Sequence, residues 1–282
     1  MRGTDHFITA SLVVAIWITP GAGLASGQTT AGGTPPPATV TYTGNSGFLI
    51  QAGGRKILVD ALFDGFPGGY TVPASVREPM LAGRAPYDDV DLILVTHRHG
   101  DHFSATMARS ALAADPRAVL VGPAEAVSGV ADAGARARAL DPAEGRRAGV
   151  EVNGIRVEAM RLSHGTPPAG QNGIVNLGYL ITVGGVKFLH TGDIDVNSIP
   201  LSYLQALGLP DERLDVAFVP HFLLSTPVPI PFVENGLRPR YVVASHLQYT
   251  PPLDEGQIRR NYPNAVLLLT EGASWTVPLA PG

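Results

Sequence analysis

The sequence predicts an α/β chain in which sheets are covered by helices, and three observations predict it. Short apolar runs bounded by Gly, Pro, Asn or Asp recur along the chain, as strands buried on both faces require. Helix-like segments carrying start and stop signals fall between them. The alternation restarts in the second half, so each half supplies strands together with helices to cover them.

Taken in order, Val40–Tyr42 and Gly47–Ile50 read as short strands around a turn at Gly44-Asn45-Ser46, and Lys56–Asp60 as a third strand that ends on a carboxylate. Residues 61–87 are rich in Gly, Pro and aromatics and read as a long irregular stretch of the kind that often serves function. Asp91–Thr96 is a continuous apolar strand. A helix is expected over Ser104–Ala114, with Ser104 as N-cap and Pro116 beyond its end. Ala118–Val121 is a strand, and the alanine-rich Ala124–Leu140 is expected to be helical. Strands follow around Asn153-Gly154 within Val150–Ala159, and a hairpin around Gly184-Gly185 joins Leu177–Val183 to Val186–His190. Ser198–Leu207 and Asp254–Arg260 are expected helices. Asp215–Val219, Tyr241–Ala244 and Ala265–Leu269 are expected strands.

Composition narrows the chemistry. With 45% hydrophobic and 16% charged residues in 282, the chain can bury a substantial core. The net charge is -4 and there is no basic run, which disfavours a nucleic-acid partner. There are no cysteines, so disulfides, thiolate ligands and a cysteine nucleophile are excluded, and a soft-metal site must come from histidine and carboxylate. At the N-terminus, Arg2, the apolar Phe7–Ile18 and the small residues through Gly27 have the order of a secretory signal over 1–27, which implies export to the periplasm or beyond. The apolar run is too short for a stable transmembrane span. Residues 28–38 read as a Gly/Thr/Pro linker and 39–282 as the folded domain.

The strand Asp91–Thr96 runs directly into Thr96-His97-Arg98-His99-Gly100-Asp101-His102. His97 and His99 lie two apart and share a side in extended chain. Gly100 permits a sharp turn, and Asp101 and His102 then face elsewhere. Four nitrogen and oxygen ligands at one strand-to-helix turn suit zinc, and two neighbouring metal sites account for their directions better than one. His164, Asp193 and His246 each follow an apolar strand and are placed to converge on the same sheet edge. Asp60, at its strand end, is expected either to hold a ligand histidine by a hydrogen bond or to serve as a turn carboxylate. His190 is expected to be a buried structural histidine facing away from the metals. His221 reads equally as a substrate contact or proton donor and as an ordinary loop histidine. The apolar segments Phe63–Pro73 and Phe222–Phe232 either line a substrate groove or cap the core.

His97-x-His99-x-Asp101-His102, followed by His164, Gly192-Asp193 and His246, resembles the metallo-β-lactamase superfamily over most of residues 39–282. The resemblance implies a four-layer αββα sandwich with metals at one edge. It implies that His97, His99 and His164 hold a first ion, that Asp101, His102 and His246 hold a second, and that Asp193 bridges them. The bridging carboxylate and the missing cysteine argue against true β-lactamases, and His99 stands where diiron flavoprotein relatives carry glutamate. Tyr42-x-Gly44-Asn45-Ser46-Gly47-Phe48-Leu49-Ile50 and Ile57–Asp60 resemble the ascorbate-phosphate lactonase-like branch, which includes phospholipase D-type phosphodiesterases. Asn45 and Ala61 depart from it, since members often carry histidine and proline there.

The implied activity is hydrolysis of a small ester, lactone or phosphodiester with two divalent ions, zinc first and manganese or iron as alternatives. Paired ions acidify a shared water toward neutral pH. Asp101 is then both ligand and catalytic proton carrier. The partner is a small molecule with an apolar portion if the apolar segments line the cleft. Two other readings stand beside this one: a mononuclear iron sulfur-oxidising oxidoreductase of the same fold, and a non-catalytic metal- or ligand-binding module.

Overall fold

Two seven-stranded mixed sheets share one apolar core in the computed structural model, which describes residues 37–66, 69–165, 173–248 and 252–278. The first half supplies β1 (Thr39–Gly44), β2 (Gly47–Ala52), β3 (Arg55–Val59), a small ribbon of β4 (Gly65–Phe66) and β5 (Tyr70–Thr71), helix α1 (Ala74–Leu81), β6 (Leu92–Leu94), α2 (Ala105–Ala114), β7 (Val119–Gly122), α3 (Ala124–Val127) and β8 (Ala137–Ala139). The second half supplies β9 (Arg147–Val152), β10 (Ile155–Arg161), β11 (Leu177–Val183), β12 (Val186–His190), α4 (Leu201–Ala206), β13 (Val216–Pro220), α5 (His221–Leu224), β14 (Tyr241–Ser245), α6 (Glu255–Asn261), β15 (Ala265–Val266) and β16 (Ser274–Thr276). The strand orders are β16-β1-β2-β3-β6-β7-β8 and β15-β14-β13-β12-β11-β10-β9.

The apolar runs are continuous because both faces of the central strands are covered. In β6, Leu92 and Leu94 enter the core between the sheets, while Ile93 packs outward under the helices of the first half. In β13, Val216 and Phe218 point inward, while Ala217 and Val219 pack against the helical layer of the second half. Helix, sheet, sheet and helix follow one another, which is the αββα sandwich. No helix among the described residues is long and apolar enough to cross a membrane. The leader expected over 1–27, and all of the linker except Pro37 and Ala38, lie outside the described residues.

Most expected elements are present with shifted ends. Ser104 caps α2, its Oγ accepting from the Met107 N–H at 3.4 Å. Asn153 and Gly154, at φ 50° and 79°, make the left-handed two-residue turn between β9 and β10. The helix expected over Ala124–Leu140 needs correction. Only α3 is helical, and a 3-10 stretch over Ser128–Arg136 is broken at Val130 and Gly134 before the chain extends as β8. Gly134 takes a backbone no helix uses, and parallel pairing of β8 with β7 outweighs the helix preference of the alanines. The irregular reading of residues 61–87 missed α1, which buries Val76 and Met80 despite carrying Pro79. The strand expected over Ala265–Leu269 stops at Val266, at one edge of the second sheet, and β16 forms an edge of the first sheet against β1.

Strand direction explains where ligands collect. Strands β3, β6 and β7 are mutually parallel, as are β12, β13 and β14. Strand β10 runs with β12 because both flank β11 antiparallel. The carboxyl ends of β3, β6, β10, β12 and β14 therefore deliver Asp60, His97, His164, Asp193 and His246. Tyr179 Oη donates to the Val95 carbonyl at 2.7 Å and the Leu177 N–H to the Thr96 carbonyl at 2.9 Å, which binds the second sheet to the loop that carries the histidines.

Candidate metal centre

The turn after β6 is shaped by its own backbone, with the N–H groups of His102 and Phe103 both donating to the His99 carbonyl. Three histidine rings meet at near right angles on one side. His97 Nε2 lies 3.0 Å from His99 Nδ1, and the two rings are inclined at 82°. The His164 ring stands 4.8 Å from that of His97 and 5.0 Å from that of His99, at 83° and 84°. A second group is built from carboxylates and histidines. Asp193 Oδ2 lies 3.0 Å from His246 Nε2 and 3.2 Å from His102 Nε2, and Asp101 Oδ2 lies 3.3 Å and 3.7 Å from the same two atoms. Within each group the candidate ligand atoms fall within 4.8 Å of one another. Asp193 Oδ2 also faces the first group, 3.7 Å from His164 Nε2 and 4.0 Å from His97 Nε2. The structure thus brings together all seven residues expected to hold metal, in two groups with Asp193 between them.

These residues fit divalent cations. His164 Nε2 and Asp193 Oδ1 are buried and have no hydrogen-bond partner among the described residues. Leaving such atoms without a partner costs about 1–3 kcal/mol each. Among the described residues, the ion pairs of Asp101 and Asp193 are all with histidines and none is with lysine or arginine. Imidazole nitrogen with carboxylate oxygen is a donor set that zinc accepts.

The ligands are held from behind. Asp60, fully buried at φ 46°, accepts from Thr96 N–H at 2.8 Å and Thr96 Oγ1 at 2.7 Å. Its Oδ2 also accepts a hydrogen bond from His102 Nδ1 at 2.8 Å, which turns His102 Nε2 toward Asp193. Asn176 donates to the carbonyls of Leu162 and Thr191, and its Oδ1 accepts from Asp193 N–H, so one amide clamps the loops that carry His164 and Asp193. Asn45 donates to the Asp101 carbonyl at 3.1 Å and approaches Asp101 Oδ2 at 3.4 Å. Sequence reasoning missed Asn176, a single amide with no pattern around it. It noted Asn45 as a turn residue between two strands and as a departure from the branch it resembles, and missed its contact with Asp101.

The electrostatics of the two groups differ. Burial and the neighbouring His102 hold His97 well below the usual histidine range, and burial also lowers His99 and His164. Burial opposes the charge of His102, but the carboxylates of Asp193 and Asp60 outweigh it and raise this histidine well above its usual value. His246 rises to about 9 against its own burial, chiefly through Asp193 and Asp101. Asp193 is held far below the usual carboxylate range despite burial, because His102 and His246 favour its charge.

His190 lies apart from the ligands. The Gly192 N–H donates to its Nδ1, so the Nε2–H donates to the Ser46 carbonyl and the ring is neutral and structural. His221 is fully buried where α5 begins, and the helical turn presents Phe222 and Leu223 to the cleft in its place. The cleft, of about 500 Å³, adds Ile194, Asp195 and Asn197 to that wall. Phe222 meets the His246 ring edge-on at 5.8 Å. Phe232 and Leu224 are core, so only the start of the segment Phe222–Phe232 lines the groove. Phe63 is buried beneath the first helical layer and caps the core, a correction to the groove reading of Phe63–Pro73; Pro67 and Gly68 lie outside the described residues.

The chain is similar to proteins already known. The profile of the β-lactamase superfamily domain matches residues 39–244. A UPF0173 metal-dependent hydrolase of Pyrococcus furiosus is 28% identical over 218 residues, covering 76% of this chain and 86% of its own. Among solved structures, the metallo-hydrolase Igni18 of Ignicoccus hospitalis superposes with a TM-score of 0.62 at 18% identity, covering 87% of this chain and 100% of its own. The metallo-β-lactamase fold protein YhfI of Bacillus subtilis superposes at 0.55 and 16% identity, covering 85% and 100%. The profile match spans well over half of the chain, and the chain belongs to the metallo-β-lactamase superfamily.

Proposed function

We propose that this protein is a dinuclear metal-dependent hydrolase of a small ester, lactone or phosphodiester, working with zinc. The observation that carries the reading is the position of Asp193 Oδ2, within 4.0 Å of Nε2 atoms from both ligand groups. A carboxylate there serves two ions, and a mononuclear iron oxidoreductase has no use for the second group of Asp101, His102 and His246. The similarity to proteins named metal-dependent hydrolases supports the same reading. His97, His99 and His164 would hold one ion, Asp101, His102 and His246 the other, with Asp193 shared. Bound there, the ions supply Lewis acidity and lower the pKa of water.

The chain supplies the rest. Asp101 lines the cleft with Oδ2 toward His246, and Asn45 donates to its main-chain carbonyl; its carboxylate would take a proton from the attacking water and return it to the leaving group. Asp60 fixes the ring of His102 and keeps its Nε2 lone pair directed inward. Ile194, Phe222 and Leu223 give the substrate an apolar wall and exclude water beside the reacting bond. Export remains part of this proposal, on the pattern of residues 1–27 alone. A mature N-terminus beginning near residue 28 in the exported fraction supports it, and full-length protein retained in the cytosol sinks it.

The test of function is metal analysis joined to a hydrolase panel of lactones, esters, phosphodiesters and β-lactams. Two ions per chain, with turnover of one of the first three classes and not of β-lactams, is the expected result. One iron per chain with sulfur oxidation would replace this reading with the oxidoreductase.

A further inference from the structure

One short segment, residues 175–177, holds the strand ends from which three of the ligands leave. Asn176 is buried, and both sides of its amide are engaged. Its Nδ2 donates to the Leu162 carbonyl at 2.9 Å, two residues before His164, and to the Thr191 carbonyl at 3.0 Å, two residues before Asp193. Its Oδ1 accepts from the Asp193 N–H at 3.2 Å. Two carbonyls and one N–H fix which way the amide faces. Its main-chain carbonyl accepts from the Leu162 N–H at 3.1 Å. The residues on either side reach the turn that carries His97. The Leu177 N–H donates to the Thr96 carbonyl at 2.9 Å. The Val175 N–H donates to Glu125 Oε1, and Glu125 Oε2 accepts from Arg98, which stands between His97 and His99. Gly192 admits this contact: it lies at φ 61°, and a Cβ there would strike Asn176 Oδ1.

The second ligand group is held by other residues. His102 is oriented by Asp60, the Asp101 carbonyl accepts from Asn45, and the Leu247 N–H, beside His246, donates to the Asn45 carbonyl. Asp193 Oδ2 lies nearer to this group, at 3.0 Å and 3.2 Å, than to His164 and His97, at 3.7 Å and 4.0 Å. Loosening the Asp193 loop therefore costs its reach to the first group before its hold on the second. We propose that Asn176 is the positioning residue of the first ion: it sets Asp193 against His97 and His164, and so makes that carboxylate a bridge. The inference rests on the dinuclear reading and assigns this amide a role in it.

The test uses the full chain with Asn176→Asp, which keeps the size of the side chain and an acceptor for the Asp193 N–H but loses the two N–H donors. Asn176→Ser, too short for all three partners, is the second variant. Zinc binding is read by calorimetry, and electron paramagnetic resonance of the manganese-loaded protein reads spin coupling between the ions. One of the two zinc affinities should fall by about 10–100-fold while the other changes little, and the coupling seen in the parent should disappear. The cobalt spectrum of the ion that remains should match that of His164→Ala, in which the first group is broken, and not that of His246→Ala. Equal loss of both affinities, or affinities and coupling like those of the parent, overturns the inference and leaves a coupled dinuclear parent standing. A parent chain that binds fewer than two ions, or two without coupling, removes the dinuclear reading and the inference together. If neither variant folds, Asn176 serves the fold and not the site, and the inference falls.

Discussion

Two clusters of charge in this molecule are built on opposite principles. On the outer face of the second sheet, Glu212 stands between Arg147 and Lys187, the latter at 2.7 Å, and Arg147 also reaches Glu158 at 3.6 Å. Each carboxylate there has a permanent cation from the chain. At the ligand edge, Asp60, Asp101 and Asp193 meet only histidines and neutral donors among the described residues. The first cluster is complete in itself and stabilises. The second is complete only when cations arrive from outside, and in their absence protons on His102 and His246 take their place. A buried set of acceptors without arginine or lysine is therefore a signature of a site, where the same number of carboxylates with arginine is a signature of a brace.

That contrast can be broken, and the largest effect is at its centre. Asp193→Ala should lower turnover by on the order of 10³-fold or more and reduce bound metal below two ions per chain. Retention of both ions and of activity would show that Asp193 is a brace and not a ligand. Stripping the metals with a chelator comes next. A site that binds at a thousand times its dissociation constant contributes about 4 kcal/mol, so melting should fall by on the order of 10 °C. Unchanged melting would mean that protons on His102 and His246 balance the carboxylates as well as metal does. Asp60→Asn keeps the size of the side chain but weakens the hold on His102. Metal affinity should fall by about 10–100-fold while the fold persists, and an unaltered affinity would return Asp60 to the role of a turn carboxylate.

The smallest effect lies in the self-contained cluster. Glu212→Gln should cost at most about 1 kcal/mol and leave metal content untouched. Burial works against the charge of Glu212, but Lys187 and Arg147 hold its carboxyl below the usual glutamate value. The unfolded chain therefore binds the proton first on acidification. The contribution of Glu212 is fully present above about pH 4.5 and is lost as pH falls through the lower folded value. E212Q should flatten that part of the acid limb of a pH-melting curve, and an unchanged limb would sink the assignment.

How much was legible beforehand follows from the reach of each signal. Apolar runs report burial on both faces directly, so β6, β11, β13 and β14 stand close to where their residues placed them. Local preference failed where pairing across the sheet mattered more, as at Ala124–Leu140, where an edge strand and Gly134 override the alanines. Aromatics in Gly- and Pro-rich chain look alike whether they face a cleft or a core, and Phe63 and Phe222 took opposite fates.

The sequence by itself determined the chemical kind of the site. Cysteine is absent, and His97, His99, Asp101 and His102 sit in one short turn after a buried strand, so the ligand type and its first location are local properties of the chain. The strand-end positions of His164, Asp193 and His246 already pointed them toward one sheet edge, and the tertiary structure decided the rest. It brought His164, Asp193 and His246 across the sheets to that turn, put Asn176 and Asp60 behind them, buried His221 and placed Asp195 along the cleft. Those contacts join residues far apart in sequence, and their distances depend on the parallel direction and register of strands that no local pattern encodes.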